Sequence, residues 1–207
     1  MIYDLTGLHV IVGGDRAIEL ATLADQLGAS VIQLREKDRP LGEILDVADA
    51  IRTRVTHAAF IINDRADIAR AVHADGVHLG SDDLPVEYAR VLLGPDAIIG
   101  ATCGSLTEAM EAQTVGANYI GFGHIYPTRS KEKRTPQKTL QEVSDFASAI
   151  SVPLIAIGGI TPANAAPVLQ AGASGIAVIG AIQNSDDPAR TIRELLALVN
   201  LRATPQP

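Results

Sequence analysis

Eight short, unbroken apolar runs alternate with helical patterns along this chain, and that alternation restricts the fold more than any single motif does. The runs lie near residues 8–12, 30–34, 59–63, 76–79, 97–101, 119–123, 153–157 and 175–179. A strand buried on both faces reads as a continuous apolar run, so these predict parallel strands covered by helices. Between them stand helical patterns such as AIELATLADQLG, LGEILDVADAIRTRV, LTEAMEAQTVG and ANAAPVLQAG. Gly28, Gly94, Gly116 and Gly172 sit where a helix is closed by a left-handed residue. The segments GASVIQL, ADGVHLG, GANYIGFG and GASGIAVIG accompany the second, fourth, sixth and eighth strands. That four-fold echo predicts an α/β fold closed as a single-domain (β/α)8 TIM barrel. The alternative is an open flavodoxin-like sheet. With 207 residues the barrel has short loops. It is expected over residues 1–202, with a frayed tail at 203–207.

Composition narrows the function. The net charge is −7, which disfavours broad contact with nucleic acid or an anionic membrane. Aromatic residues are 3% of the chain and Trp is absent, so base-stacking platforms are scarce. Cys103 is the only cysteine, which excludes an internal disulfide and fits a reducing compartment. No apolar stretch reaches ~18 residues and no signal-peptide pattern opens the chain, so the expected location is the cytoplasm. The expected partners are small molecules, without nucleic acid or membrane.

Chemistry-bearing residues gather at the carboxyl ends of the strands, where such barrels build their sites. Asp64 and Asp83 follow strands three and four and could share a Mg2+; each could equally cap the next helix, and Asp82 could replace Asp83. Gln33, Arg35 and Lys37 alternate by two and would share a face if the second strand runs that far. Cations there suit a pyrophosphate. Gly158-Gly159 and Ile179-Gly180 end strands seven and eight, the usual phosphate site of the fold. His124 follows strand six directly and is a candidate acid–base group. His78 lies within a strand, where it could hydrogen-bond inside the barrel without touching substrate, and His57 and His73 read as surface. Cys103 reads as packing. Residues 125–140, IYPTRSKEKRTPQKTL, are polar and cationic and read as a lid after strand six.

VIQLREK, IINDRADIARAVHADGVHLGSDDLP, GANYIGFG, PTRSK, VPLIAIGGITPAN and GASGIAVIGAI together resemble the thiamin phosphate synthase family, in order over nearly the whole chain. The resemblance implies a transferase that couples 4-amino-5-hydroxymethyl-2-methylpyrimidine pyrophosphate with 4-methyl-5-hydroxyethylthiazole phosphate. Products would be thiamin phosphate and pyrophosphate, with Mg2+ required. It implies that pyrophosphate leaves first and that the thiazole nitrogen attacks the resulting pyrimidine-methyl cation. Carried over, Asp64 and Asp83 would hold Mg2+. Gln33, Arg35, Lys37 and Asn63 would bind the pyrimidine pyrophosphate, and Lys131 would close on it, with Arg35, Lys37 and Lys131 the catalytic cations. Thr128 and Ser130 would bind ligands around the lid. Gly159, Ile179 and Gly180 would bind the thiazole phosphate through N–H groups. Barrels of this type are often dimers, and a homodimer is compatible with the chain.

Three positions depart from the family pattern. Gly100-Ala101-Thr102 replaces the usual GVS, so Thr102 must supply the hydroxyl. Gly180 stands where Ser is common. Gly123-His124 replaces the usual GP and resembles the paralogous thiazole tautomerase, an isomerase that uses a histidine. That enzyme is the alternative reading; a non-catalytic sensor of phosphorylated ligands is a third.

Overall fold

The computed structural model describes residues 3–128 and 136–203. Its strands are β1 (Gly7–Val12), β2 (Val31–Leu34), β3 (Ala59–Asn63), β4 (Gly76–Leu79), β5 (Ile98–Thr102), β6 (Tyr119–Gly123), β7 (Leu154–Ile157) and β8 (Gly175–Val178). They pair in parallel in chain order, and β1 pairs with β8, so the sheet closes into a barrel. The open-sheet alternative is thereby excluded. The helices are α1 (Ala17–Leu27), α2 (Leu41–Arg52), α3 (Ala66–Ala71), α4 (Val86–Leu93), α5 (Leu106–Thr114), α6 (Leu140–Ala149), α7 (Ala165–Gln170), α8 (Gly180–Gln183) and α9 (Pro188–Ala203). Strand ends differ from the sequence reading by a residue at most. The expected tail is shorter by one described residue, since α9 continues to Ala203; residues 204–207 lie outside the described part.

Two apolar cores result from the alternation of side chains along each strand. Outward residues such as Leu8, Val10, Ile32, Phe60, Ile120 and Ile176 pack under the helices. Inward residues such as Ile11, Val31, Ile61, Ile98, Tyr119 and Ile155 fill the lumen. The barrel is therefore packed, and ligands are confined to its ends.

The four-fold echo has a structural basis. The residue before each even strand bonds to the preceding odd strand and extends the ladder at its amino end. Ser30, Asp75, Asn118 and Ser174 donate their N–H groups to Leu8, Phe60, Ile99 and Leu154. Three of them also accept with the side chain: Phe60 N–H reaches Asp75 at 2.8 Å, Ile99 N–H reaches Asn118 at 2.8 Å, and Leu154 N–H reaches Ser174 at 3.2 Å.

Candidate active site

The carboxyl ends of β2, β3 and β4 bring the first cluster together. β2 stops at Leu34, so Arg35 and Lys37 are not a continuation of its inward face; they stand on the loop beyond it. The Gln33-Arg35-Lys37 row is corrected accordingly. Pairing ends with Arg35 N–H on Val12 O at 2.8 Å, and the loop then turns over the mouth. Lys37 Nζ reaches Asp64 Oδ2 at 3.0 Å. Asp64 has φ 64°, a left-handed conformation that Asp tolerates better than most residues. The carboxyl groups of Asp64 and Asp83 are hydrogen-bonded to each other. Neither caps a helix: the N-cap residues of α3 and α4 are Arg65 and Pro85, and neither helix has a side-chain cap. Asp83 instead accepts the Gly80 N–H at 2.6 Å, which holds its own loop. Asp83, rather than the exposed Asp82, is the one bonded to Asp64.

The electrostatics of this pair are asymmetric. Burial pushes the Asp64 carboxyl up, but the hydrogen bond from Asp83, together with Lys37 and Arg35, outweighs it and holds Asp64 below the usual carboxylate range. Burial pushes Asp83 up, the neighbouring Asp64 adds to this, and Gly80 N–H offsets only part. The two carboxyl groups are thus pushed in opposite directions, Asp64 down and Asp83 up. Two neighbouring carboxyl groups at the barrel mouth form a donor set that fits a small dication, whose charge favours the ionised form of both. No group of three or more His, Cys, Asp or Glu side chains with metal-site geometry occurs among the described residues. Water and substrate oxygens would have to complete the shell, as Mg2+ prefers.

Below the mouth lies a polar relay. Gln33 is buried in the lumen and hydrogen-bonds Tyr119. The Tyr119 Oη lies 2.9 Å from His78 Nδ1, and His78 Nε2 lies 2.8 Å from Thr102 Oγ1. The ring of Tyr119 needs Gly100: a Cβ there would stand 2.1 Å from it. Burial holds the Tyr119 phenol protonated, with its pKa pushed up. His78 thus bonds inside the barrel, as its strand position suggests, and it holds the hydroxyl of Thr102. Asn63 ends β3 beside His78.

The second half of the mouth is formed by β6, β7 and β8. His124 stands directly after β6, part-buried, across a cis peptide from Gly123. Gly158 and Gly159 have φ 106° and 64°. Their first requirement is close packing: a Cβ would stand 2.4 Å from His124 Cβ at Gly158, and 2.5 Å from Pro127 O at Gly159. Ile125 and Tyr126 N–H groups bond Ile157 O and Gly158 O, which carries the β6 chain alongside β7. Thr128 lies at the end of this stretch. Arg129, Ser130 and Lys131 fall outside the described residues, as does the centre of the expected lid. On the far side of that gap Lys138 bonds Gly104 O at 2.7 Å and lies over the Phe122 ring. Ile179 caps α8, and Gly180 is its first residue.

A cleft of about 180 Å3 opens where the ends of β1, β2 and β8 meet, lined by Gly13, Gly14, Arg35, Lys37, Ile179 and Gln183 among others. Gly13, Gly14, Glu36 and Gln183 have no role in the sequence reading. Glu36 ties the two loops together by accepting Gly14 N–H at 2.7 Å. The pairing of Gly14 with Glu36 across 22 residues leaves no local pattern. A larger cavity, about 480 Å3, lies at the opposite end around Tyr3, Arg70, His73 and Asp96. Its Asp75 is already bonded to Tyr3, Arg52 and Phe60. Of the residues named from the sequence, the smaller cleft takes in Arg35, Lys37 and Ile179, and Asp64 meets its edge through Lys37.

The family model described as thiamine monophosphate synthase matches residues 3–182. The chain belongs to that family. A thiamine-phosphate synthase of Chlorobium luteolum is 51% identical over 175 residues, covering 84% of this chain and 82% of the relative. One from Moorella thermoacetica is 44% identical, covering 90% of each chain. Among solved structures, a thiamine phosphate pyrophosphorylase from Pyrococcus furiosus superposes with a TM-score of 0.86 at 37% identity, covering 96% of this chain and 98% of that one. A 3-hexulose-6-phosphate synthase, 22% identical with a TM-score of 0.72, shares the fold.

The remaining sequence expectations separate cleanly. Cys103 is buried and its thiol is pushed up to about 12 by burial, which suits packing. His57 and His73 are exposed. No helix among the described residues is long and apolar enough to cross a membrane. His9 is the one buried histidine that the sequence reading passes over. It sits in the lumen with Nε2 2.8 Å from Leu5 O and its ring edge-on to Tyr119.

Proposed function

We propose that this chain couples the pyrimidine pyrophosphate with the thiazole phosphate to give thiamin phosphate and pyrophosphate. The observation that carries the reading is the Lys37–Asp64–Asp83 cluster at the barrel mouth, in a chain that belongs to this family. Asp64 and Asp83 would hold Mg2+. The metal, when bound, supplies positive charge to the departing pyrophosphate. Lys37 and Arg35 add cations on the same side, and Lys131 would add a third. Gln33, held by Tyr119, and Asn63 would bind the pyrimidine. Thr102, Thr128 and Ser130 would bind around the reacting groups. The N–H groups of Gly159, Ile179 and Gly180 would take the thiazole phosphate, since the first N–H groups of a helix have no partner within it.

The chemistry asks little of a protein nucleophile. The C–O bond to pyrophosphate breaks, leaving a pyrimidine-methyl cation. The thiazole nitrogen then donates its electron pair to that carbon. The residues must neutralise the leaving group, align the two rings and keep water out. The cytoplasm is the compartment consistent with this chemistry and with a buried free thiol.

The test is direct. Purified protein, Mg2+ and both substrates should yield thiamin phosphate, read as thiochrome fluorescence after oxidation. Absence of product from folded protein, beside a working control, would reject the reading. One observation favours the tautomerase reading: His124 at the end of β6. His124→Pro distinguishes the two, because it should leave coupling within about a factor of three, a change below 1 kcal/mol. Loss of all activity, with turnover of the carboxylated thiazole phosphate by the unmodified protein, would favour the isomerase.

A further inference from the structure

We propose that Tyr119 and His78 are positioning residues that order the protons leading to Thr102 and so make its hydroxyl a hydrogen-bond donor toward the substrate. The ligand follows from the coupling reading, on which this assignment rests: an aminopyrimidine, whose ring nitrogens are acceptors. Tyr119 and His78 act through Thr102 and need not touch it.

The geometry is a chain of single protons. Tyr119 Oη stands 2.9 Å from His78 Nδ1, and His78 Nε2 stands 2.8 Å from Thr102 Oγ1. Tyr119 is buried, and a buried hydroxyl proton needs an acceptor. His78 Nδ1 lies at the right distance to be that acceptor. The other polar neighbour of the phenol is Gln33, whose hydrogen bond pulls Tyr119 down against burial, as a donor on the phenol oxygen does. The Tyr119 proton therefore goes to Nδ1. A neutral imidazole donates from one nitrogen and accepts at the other. With Nδ1 accepting, Nε2 carries the proton and gives it to Thr102 Oγ1. That oxygen is an acceptor toward His78, so its own proton is left for another group. With the opposite order, Thr102 would use its proton on Nε2 and offer a ligand lone pairs alone.

The fold makes room for this chain at two glycines. A Cβ on Gly100 of β5 would run into the Tyr119 phenol, and one on Gly121 of β6 would stand 2.9 Å from His78 Cε1 and 3.6 Å from Thr102 Oγ1. The His78 and Tyr119 rings lie 5.4 Å apart at 24°, and the His9 ring meets Tyr119 edge-on at 5.2 Å. Packing thus holds both rings in the orientation that the chain needs. Thr102 is the last residue of β5, part-buried at the carboxyl end where the site lies. Its side chain makes no second hydrogen bond among the described residues.

Nitrogen NMR of the full chain, labelled at histidine, tests the proton order directly. Spectra are taken at about pH 8, above the ordinary imidazole value of ~6.5, with His78 assigned by the loss of its signals in His78→Gln. Nε2 should be protonated, and Nδ1 should be unprotonated and accepting a hydrogen bond. Tyr119→Phe should move Nδ1 toward the position of an unbonded nitrogen. A protonated Nδ1, alone or beside a protonated Nε2, overturns the proposal, and so does an Nδ1 signal that Tyr119→Phe leaves in place. A kinetic cycle tests the consequence. Tyr119→Phe and Thr102→Val should each raise KM for the pyrimidine pyrophosphate about 10-fold, the weight of one hydrogen bond, with KM for the thiazole phosphate changed by less than about twofold. In the Thr102→Val background, Tyr119→Phe should add less than about twofold. Additive effects would mean that Tyr119 does not act through Thr102 and would overturn the proposal. Circular dichroism melts check folding, and if Tyr119→Phe is unfolded the spectrum of the unmodified protein decides. A chain that couples the substrates but carries a proton on Nδ1 rejects this assignment alone. A chain with the expected spectrum and no coupling rejects the coupling reading and still supports Thr102 as a donor.

Discussion

At the amino end of the barrel, Asp75 accepts from Tyr3, Arg52 and the Phe60 N–H. At the carboxyl end, Asp64 faces Lys37 and a second carboxyl group. Both are part-buried aspartates next to a strand, with a cation about 3 Å away. They differ in what surrounds the cation. Asp75 is saturated by groups that the fold itself provides, so its charge is spent on structure. Asp64 is set against Asp83, whose carboxyl it pushes up, so the pair is left with negative charge to be compensated. The amino-end groups hold the barrel together, and the carboxyl-end groups are poised for an added cation and an anion. Arg90 at the floor, clasping Gly116 and Asn118, and Lys37 at the mouth make the same contrast for cations.

The comparison is broken most easily at the mouth. Asp83→Ala should lower coupling at limiting Mg2+ by about 1000-fold, roughly 4 kcal/mol of barrier, with little loss of stability. Initial rates against Mg2+ concentration measure this, and an unchanged curve would remove Asp83 from the metal site.

The next effect lies away from the mouth. Asp25 is buried and accepts from the N–H groups of Thr56, His57 and Ala58. Burial pushes its carboxyl up, but those N–H groups and the His57 side chain outweigh it and the net shift is down. Asp25→Ala should cost about 3 kcal/mol of stability by leaving these donors unpaired. Urea unfolding measures it, and coupling per folded molecule should be preserved.

A smaller effect sharpens the account of the lumen. Burial holds the His9 imidazole at about 4, below the ordinary value of ~6.5. As pH falls through that interval the unfolded chain takes up the proton first. Stability that is complete above ~6.5 is therefore lost towards 4, about 2 kcal/mol of it between pH 6.5 and 5. Urea midpoints of the unmodified protein and His9→Phe should diverge over that range; parallel pH profiles would show that His9 is not the group responsible.

What was legible in the sequence follows the same division. Strands buried on both faces announce themselves as apolar runs, and the four-fold echo marks Ser30, Asp75, Asn118 and Ser174 as equivalent positions. The site residues were visible as polar groups ending apolar runs. The end of β2 at Leu34 was read as well, so the shared face of Gln33, Arg35 and Lys37, which needed a longer strand, does not form. Tyr119 and His9 were hidden inside apolar runs; which residues meet across the lumen depends on how the strands are staggered around the closed barrel. The partners of Asp25 are backbone groups 31 to 33 residues away, and no pattern of side chains records them.

The most direct measurement sets the two aspartates side by side. Thiamin phosphate formation would be followed for Asp64→Asn and Asp75→Asn under saturating Mg2+, each rate divided by the folded fraction. Each substitution removes one negative charge beside a strand and a cation. Asp75→Asn should melt earlier and keep the coupling rate of the unmodified protein, while Asp64→Asn should keep its stability and lose the rate. Equal losses of rate in both, or full activity in Asp64→Asn, would contradict the division between a structural floor and a chemical mouth.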